Sequence, residues 1–254
     1  MQTSNQLEKF FQDNRQAALA FSGGVDSTYL LYEAIRQGVK IQPYYVKSAF
    51  QPEFEYQDAL RLAKELNIEL KVIPVDVLAN EAVTDNPANR CYFCKTCIFS
   101  AILKEAKEDG YTLILDGTNA SDDAVDRPGM QALQEMKVRS PLRECGLTKE
   151  KIRRLSQKAG LFTWNKPAYA CLATRIPMGE KITLNKLAAT ERAEGCLFSL
   201  GFSDFRVRFF HGMARLQIRE NQLSLLQENR ERILEALKSD YQGVLLDLEV
   251  RDEH

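Results

Sequence analysis

Apolar and polar positions along the first part of the chain alternate between two periods. Leu7 to Phe11 reads as a short leading helix. Ala17 to Phe21 is an unbroken apolar run, the pattern of a strand covered on both faces. Thr28 to Ile35 then repeats its apolar positions at helical spacing. Ile41 to Val46 predicts a second strand. Glu53 to Asn67 predicts a helix, with Ala59, Leu62, Ala63 and Leu66 at 3–4 spacing. Ile68 to Val75 alternates as a third strand, Ile98 to Lys107 is helical, and Tyr111 to Asp116 is a buried-strand run closed by Gly117. Strands alternating with helices predict βαβ units, hence an α/β fold with a parallel, two-sided sheet.

The second part changes character. Ala120 to Pro141 is irregular, Asp-rich and broken by Arg127-Pro128-Gly129. Thr148 to Ala159 predicts a helix with Thr148 as N-cap and Gly160 beyond its end. The Pro-broken stretch Lys166 to Lys181 reads as a loop, and the domain boundary is expected at its start, giving domains 1–165 and 166–254. Beyond it the pattern predicts a helix over Asn185–Leu200, paired strands over Phe205–Phe210 and Ala214–Ile218 around His211-Gly212, a helix over Gln222–Leu237 and a strand over Val244–Val250. That order is a small α+β domain.

Composition narrows the function classes. At 254 residues with 44% hydrophobic content the chain can bury one large core or two smaller ones. The net charge of −1 supplies no global basic field for nucleic acid or membrane, which counts against a tRNA substrate. No run of about 20 apolar residues predicts a membrane helix. The polar N-terminus carries no signal-peptide pattern, so a cytoplasmic location is expected. There the six cysteines should be reduced, metal-bound or reactive.

Three segments carry the chemistry. The first is Phe21-Ser22-Gly23-Gly24-Val25-Asp26-Ser27, between a strand and a helix. Adjacent glycines allow a tight turn and close approach of a ligand, and the helix start offers unpaired N–H groups to an anion. Asp26 can reach a metal, and Ser22 and Ser27 can donate to phosphate oxygens. No Lys-Ser/Thr pair follows, so the string is not a Walker A loop, and it lacks the dinucleotide spacing. The second is Arg90-Cys91-Tyr92-Phe93-Cys94-Lys95-Thr96-Cys97. A C-x-x-C pair suits a metal, a cluster or a redox disulfide, with Cys97 open between ligand and spacer. The third is Pro167 to Pro177, where Cys171 lies four residues before Arg175, a neighbour that favours a thiolate. Cys145 and Cys196 read as structural.

The Ser22–Ser27 string resembles the PP-loop of the N-type ATP pyrophosphatases, which cut ATP between the α and β phosphates and adenylate an acceptor. Taken together, that loop, Arg90–Lys95 and Cys171-Leu172-Ala173-Thr174-Arg175-Ile176-Pro177 resemble the LarE family. The likeness runs over most of the chain, including Asp116-Gly117-Thr118-Asn119 and Arg206-Val207-Arg208. LarE proteins are ATP-dependent sulfur transferases that help build the nickel-pincer nucleotide cofactor of lactate racemase. The resemblance implies an adenine nucleotide alpha hydrolase-like PP-loop domain over 1–165. It also implies a sulfur-transfer and substrate-binding domain over 166–254.

The resemblance further implies a small-molecule substrate, a pyridinium mononucleotide with two carboxylates. One carboxylate is adenylated by ATP with Mg²⁺, then attacked by sulfur to give a thiocarboxylate. Ser22, Gly23, Gly24, Asp26, Ser27 and Gly117 would bind ATP, Asp26 also serving magnesium and catalysis. Arg206 and Arg208, on one face of a strand, would hold the substrate phosphate. The sulfur has two implied sources. Cys91, Cys94 and Cys171 can hold a [4Fe-4S] cluster whose fourth iron carries a sulfide. Alternatively, Cys171 gives up its own sulfur and ends as dehydroalanine. The cysteine count favours the cluster. The resemblance also implies a homo-oligomer, such as a hexamer, and transient contact with other proteins of nickel-pincer biosynthesis. Glu194 reads as helical surface charge or a carboxylate for metal or substrate, His211 as a turn residue, and Trp164 and Tyr92 as ring contacts or core. Another PP-loop enzyme, such as a tRNA thiolase or an amidotransferase, and a non-catalytic nucleotide-binding protein are the alternatives.

Overall fold

The computed structural model describes residues 2–122 and 128–249. They divide into two compact units, one of residues up to 77 together with 89–168, the other of 78–88 together with the residues from 169 onward. The segment 78–88 therefore leaves the first part of the sequence to pack with the second unit.

The first unit is built on β1 (Gln16–Ala20), β2 (Lys40–Lys47), β3 (Lys71–Pro74) and β4 (Ile114–Leu115). All pairings are parallel and the strand order is β3-β2-β1-β4. Alternation in β1 and β2 divides the core into two layers. Ala17, Leu19, Ile41 and Tyr45 point to one face, packed by α1 (Gln2–Asp13) and α2 (Val25–Arg36) through Phe11, Leu30 and Leu31. The same layer takes in Ala59 and Leu62 of α3 (Glu53–Glu65). Ala18, Tyr44 and Val46 point to the other face, covered by Phe99 and Ile102. The predicted parallel α/β sheet is thus the architecture observed. Strand β1 is where the order reverses, with β2 on one side and β4 on the other. Loops leaving β1 and β4 meet at that switch point, where open α/β sheets place their ligands.

Several elements differ from their sequence pattern for physical reasons. The leading helix is longer than Leu7–Phe11. The second helical turn of cysteines is helical from the start: α5 runs Arg90–Glu108, eight residues earlier than the apolar period over Ile98–Lys107 indicates. Its early turns are only partly buried, so they carry no apolar stripe. The strand expected over Tyr111–Asp116 pairs as a ladder only at Ile114–Leu115. Within the stretch read as irregular lies α6 (Pro128–Glu135), and α7 (Pro141–Glu144) starts at its last residue. Arg127 lies outside the described residues. Helix α8 (Lys149–Lys158) is capped by Thr148 and followed by Gly160 at φ +71°.

The second unit holds α4 (Glu81–Thr84), α9 (Leu184–Ser199), β5 (Arg206–Phe210), β6 (Met213–Gln217), α10 (Leu223–Glu228), α11 (Arg230–Leu237) and β7 (Val244–Leu246). Strands β5 and β6 form an antiparallel hairpin, and β7 joins β6 in parallel. The hairpin turns at His211 and Gly212, both at positive φ, as a two-residue primed turn demands. Helix α9 and α11 cover one face through Leu197, Ile233 and Leu237 against Val207, Ala214 and Leu216. The single helix expected over Gln222–Leu237 is broken at Asn229, and the last strand is shorter than Val244–Val250, whose final residue lies outside the described ones. No helix among the described residues is long and apolar enough to cross a membrane.

Candidate active site

The loop after β1 is held from within. Phe21 N–H still donates to Tyr44 O (2.9 Å), so the strand continues to the edge of the turn. Ser22 and Ser27 share a hydroxyl hydrogen bond of 3.0 Å, Ser22 N–H donates to Ser27 Oγ, and Ser27 Oγ–H donates to Gly24 O. Gly23 has φ +72°, and a Cβ there would lie 3.2 Å from Ala59 Cβ of α3. Gly117, on the loop after β4, is closer still: its Cβ would fall 2.9 Å from Ser27 N. Two backbones therefore meet without side chains at the start of α2, whose Gly24 N-cap makes no side-chain cap hydrogen bond. Unpaired N–H groups at a helix start between two glycine-bearing loops are an anion site in form.

Asp26 sits in the first turn of α2. Its Oδ2 takes a 2.5 Å ion pair from Lys149 of α8, while its Oδ1 is buried with no hydrogen-bond partner. Burial pushes its carboxyl above the ordinary aspartate range, against the pull of Lys149. A buried carboxylate oxygen without a donor fits a hard divalent cation, and magnesium takes only one or two protein carboxylates when phosphates and water complete its shell. Among the described residues no three or more His, Cys, Asp or Glu side chains form a ready-made metal site.

Beyond β4, Asp116 is buried and accepts from Ser140 Oγ (2.6 Å) and Thr118 Oγ1 (2.5 Å), which locks the Asp116–Asn119 turn beside Gly117. Cys91, Cys94 and Cys97 lie on the N-terminal turns of α5, Cys91 exposed and the other two half-buried. Arg90 Nη2 approaches Cys91 Sγ at 4.0 Å. Lys95, on the same turn, has its ammonium pushed below the ordinary lysine range by burial, opposed by Asp116, Cys91, Asp122 and Cys94. Cys91 and Cys94 lie one turn apart at the start of α5, so their C-x-x-C spacing puts two sulfur ligands on one stretch of helix. Trp164 is more than a third exposed and Tyr92 donates to Glu135 on the surface.

In the second unit Cys171 is half-buried and caps a 3₁₀ turn, Leu172–Arg175. Arg175 is 1% exposed. It donates to Ala170 O (3.0 Å) and Thr174 Oγ1 (2.7 Å), and through Nε and Nη2 to both oxygens of Glu194. Glu194 also accepts from Val207 N–H and Tyr169 O–H. It is therefore not a surface charge: all of its acceptor positions serve to fix the Cys171 loop against α9 and β5. Arg206 is buried with its guanidinium over the Tyr169 ring, and Arg208 donates to Gln217 Oε1 and to Thr174 O. Both arginines of β5 thus face the Cys171 loop. His211 stays in its hairpin turn.

A family model, "Queuosine biosynthesis protein QueC", matches residues 16–88, the segment that begins with β1 and the glycine loop. An uncharacterized protein of Synechocystis, slr1717, is 38% identical over 85% of this chain and 81% of its own length. The pyridinium-3,5-bisthiocarboxylic acid mononucleotide synthase of Lactiplantibacillus plantarum is 31% identical over 93% of this chain and 87% of its own. The chain belongs to the LarE family of PP-loop ATP pyrophosphatases. An uncharacterized protein of Methanocaldococcus jannaschii, MJ0830, is 30% identical over 97% of the chain. As a LarE-type protein it is an ATP-dependent enzyme, and the strand–loop–helix carrying Ser22–Ser27 is its PP-loop.

The structure brings Ser22, Gly23, Gly24, Asp26, Ser27 and Gly117 together where the loops leaving β1 and β4 meet in the first unit. It puts Cys91 and Cys94 on one helix of that unit. Cys171, Arg206 and Arg208 belong to the second unit. The sequence gives no role to Lys149 or Lys95 in this LarE-type chain, and it shows Arg175 without its burial. Lys149 follows an N-cap threonine and reads as ordinary helix-start charge, and its partner is 123 residues away. In sequence Arg175 is only a charge near Cys171; its burial depends on Glu194, which no local pattern reveals.

Proposed function

We propose that this chain adenylates a carboxylate of a pyridinium dicarboxylate mononucleotide with ATP and converts it to a thiocarboxylate for the nickel-pincer cofactor. The supporting observation is 31% identity over 93% of the chain to a synthase of that named product, in a chain that carries the Ser22–Ser27 loop and the Cys171–Pro177 segment. In this reading the first unit binds ATP. Ser22, Ser27 and the N–H groups at the start of α2 hold the departing pyrophosphate. Gly23, Gly24 and Gly117 keep side chains out of its way. Asp26, through its unpartnered Oδ1, would hold magnesium, which neutralises phosphate charge when bound. Adenylation is needed because a carboxylate oxygen is a poor leaving group, whereas AMP leaves readily.

Arg206 and Arg208 hold the substrate phosphate, since two guanidinium groups on one strand face suit a dianion. Cys91, Cys94 and Cys171 would hold a [4Fe-4S] cluster, a group that supplies a sulfide at its fourth iron. Positive charge around Cys91 and Cys94 supports that role for the pair. A sacrificial Cys171 is the second route, supported by the rigid anchoring of its loop through Arg175 and Glu194. The small overall charge of the chain supports a small substrate over tRNA.

ATP–pyrophosphate exchange that depends on the pyridinium dicarboxylate mononucleotide tests the adenylation. Exchange with tRNA or an amide acceptor instead would overturn it. For the sulfur source, anaerobically purified protein is expected to contain iron and labile sulfide, lost on Cys91→Ala. Iron-free protein that completes one turnover while Cys171 loses the mass of H₂S would establish the sacrificial route in its place.

A further inference from the structure

Lys149 has an arrangement that the adenylation reading does not use. Its side chain reaches from the first position of α8 to Asp26 Oδ2 at 2.5 Å, and the pair is partly exposed, 34% at the lysine and 18% at the aspartate. Backbone contacts fix where it starts: Lys149 N–H donates to Ser121 Oγ (3.0 Å), and Thr148 caps the helix. The ammonium itself has no other hydrogen bond or ion pair among the described residues. Arg153, one turn along α8, also acts electrostatically on Asp26, but its guanidinium is tied to Trp164 O and Lys166 O at 2.8 Å each. Of the two cations beside the PP-loop, one is anchored and one is free to swing on a four-carbon stem.

Asp26 presents the complementary half. One oxygen is taken by Lys149 and the other is buried without a donor. A monovalent ammonium thus leaves the carboxylate half satisfied, and a divalent cation would satisfy both oxygens. Resting on the adenylation reading, we propose that Lys149 is a placeholder for magnesium. It neutralises Asp26 in the nucleotide-free enzyme, yields that carboxylate to the metal arriving with ATP, and turns to the β- and γ-phosphates, staying with pyrophosphate after adenylation. Asp26 is never left bare in the empty site, and the third and fourth charges of the leaving group gain a cation when they arrive. The movement required is a change of side-chain rotamers from a fixed helix start, with no backbone displacement.

The test uses the full chain and two binding measurements that need no turnover. Mn²⁺ binding without nucleotide is followed by electron paramagnetic resonance, and inorganic pyrophosphate binding by calorimetry in the presence of Mg²⁺. Lys149→Met removes the competitor from Asp26 and the partner from pyrophosphate. Mn²⁺ alone is expected to bind about tenfold tighter than to the wild type, and pyrophosphate about tenfold weaker, the scale of an ordinary coupling between two sites. Lys149→Arg is expected to restore pyrophosphate binding. It also serves if the methionine variant does not fold, because a bulkier, forked cation should change Mn²⁺ affinity too. Both affinities unchanged in Lys149→Met, with nucleotide still bound by the wild type, would overturn the placeholder alone. A wild-type chain that binds neither ATP nor pyrophosphate would overturn the adenylation reading and this inference with it.

Discussion

Gly23 combines a left-handed φ with a wall: a methyl group there would press on Ala59 Cβ at 3.2 Å. Gly38 has a similar φ of +69° but nothing within 4 Å. The pair separates strain from steric closure of the PP-loop. Alanine at either position should cost about 1–3 kcal/mol through strain. Only Gly23→Ala should also weaken ATP, because only there must α3 or the loop move. Melting curves and calorimetric ATP titrations of both variants check this; equal losses of nucleotide affinity would contradict it. Cysteine reactivity is a second matter of single residues. Cys91 is exposed, whereas Cys145 is buried and its thiol is pushed up by burial. Alkylation needs the thiolate. In reduced, metal-free native protein iodoacetamide should therefore modify Cys91 early and Cys145 last. Cys145 should need a higher pH to react, and denaturant should erase the difference, all read by peptide mass spectrometry.

Helix α9 and strand β5 hold the Cys171 loop through one carboxylate. Glu194 accepts from Arg175, Tyr169 and the Val207 backbone, and Arg175 is 1% exposed. Removing the carboxylate leaves a buried guanidinium without its charge partner, a loss of about 3–5 kcal/mol. Glu194→Ala should lower the melting temperature strongly, while Glu194→Gln, which keeps acceptor and shape, should lose less. Equal and small losses would show that the network is incidental to the loop. Helix α5 illustrates how an element hides from its pattern. Its cysteine-bearing turns are half-buried, so they show no apolar stripe, and helicity there comes from continuation of the well-packed turn around Phe99 and Ile102.

For the molecule as a whole, the division into units cuts across the sequence boundary expected at 165/166. Val83, Thr84 and Asn86 are buried, and Asn86 Nδ2 donates to the carbonyls of Ile176, Pro177 and Glu180. Ile182 N–H donates to Thr84 O at 2.7 Å. A fragment of 166–254 lacks these partners, leaving three carbonyls and an apolar patch uncovered. It should show a broad, weakly cooperative melt, whereas co-expression with a chain that supplies 1–165 should recover a sharp one. A sharp melt for the isolated fragment would show that 78–88 adds nothing to the second unit.

Local pattern was enough for the α/β class, the PP-loop and the hairpin at His211-Gly212. These rest on interactions within a few residues: period-2 and period-3.6 burial, glycine at positive φ, and an N-cap threonine. Cys91 and Cys94 were legible as a candidate ligand pair from their C-x-x-C spacing, whereas Cys171 joined them only through the family resemblance. Tertiary structure alone decided which charges are spent and which are available. Lys149 meets Asp26 across 123 residues, Gly117 meets Ser27 at the sheet's switch point, and Glu194 becomes a buried acceptor through Arg175 and Val207. The physical reason is that electrostatics and packing act through space. A sequence records which groups exist, and only the fold sets the distance and the dielectric between them.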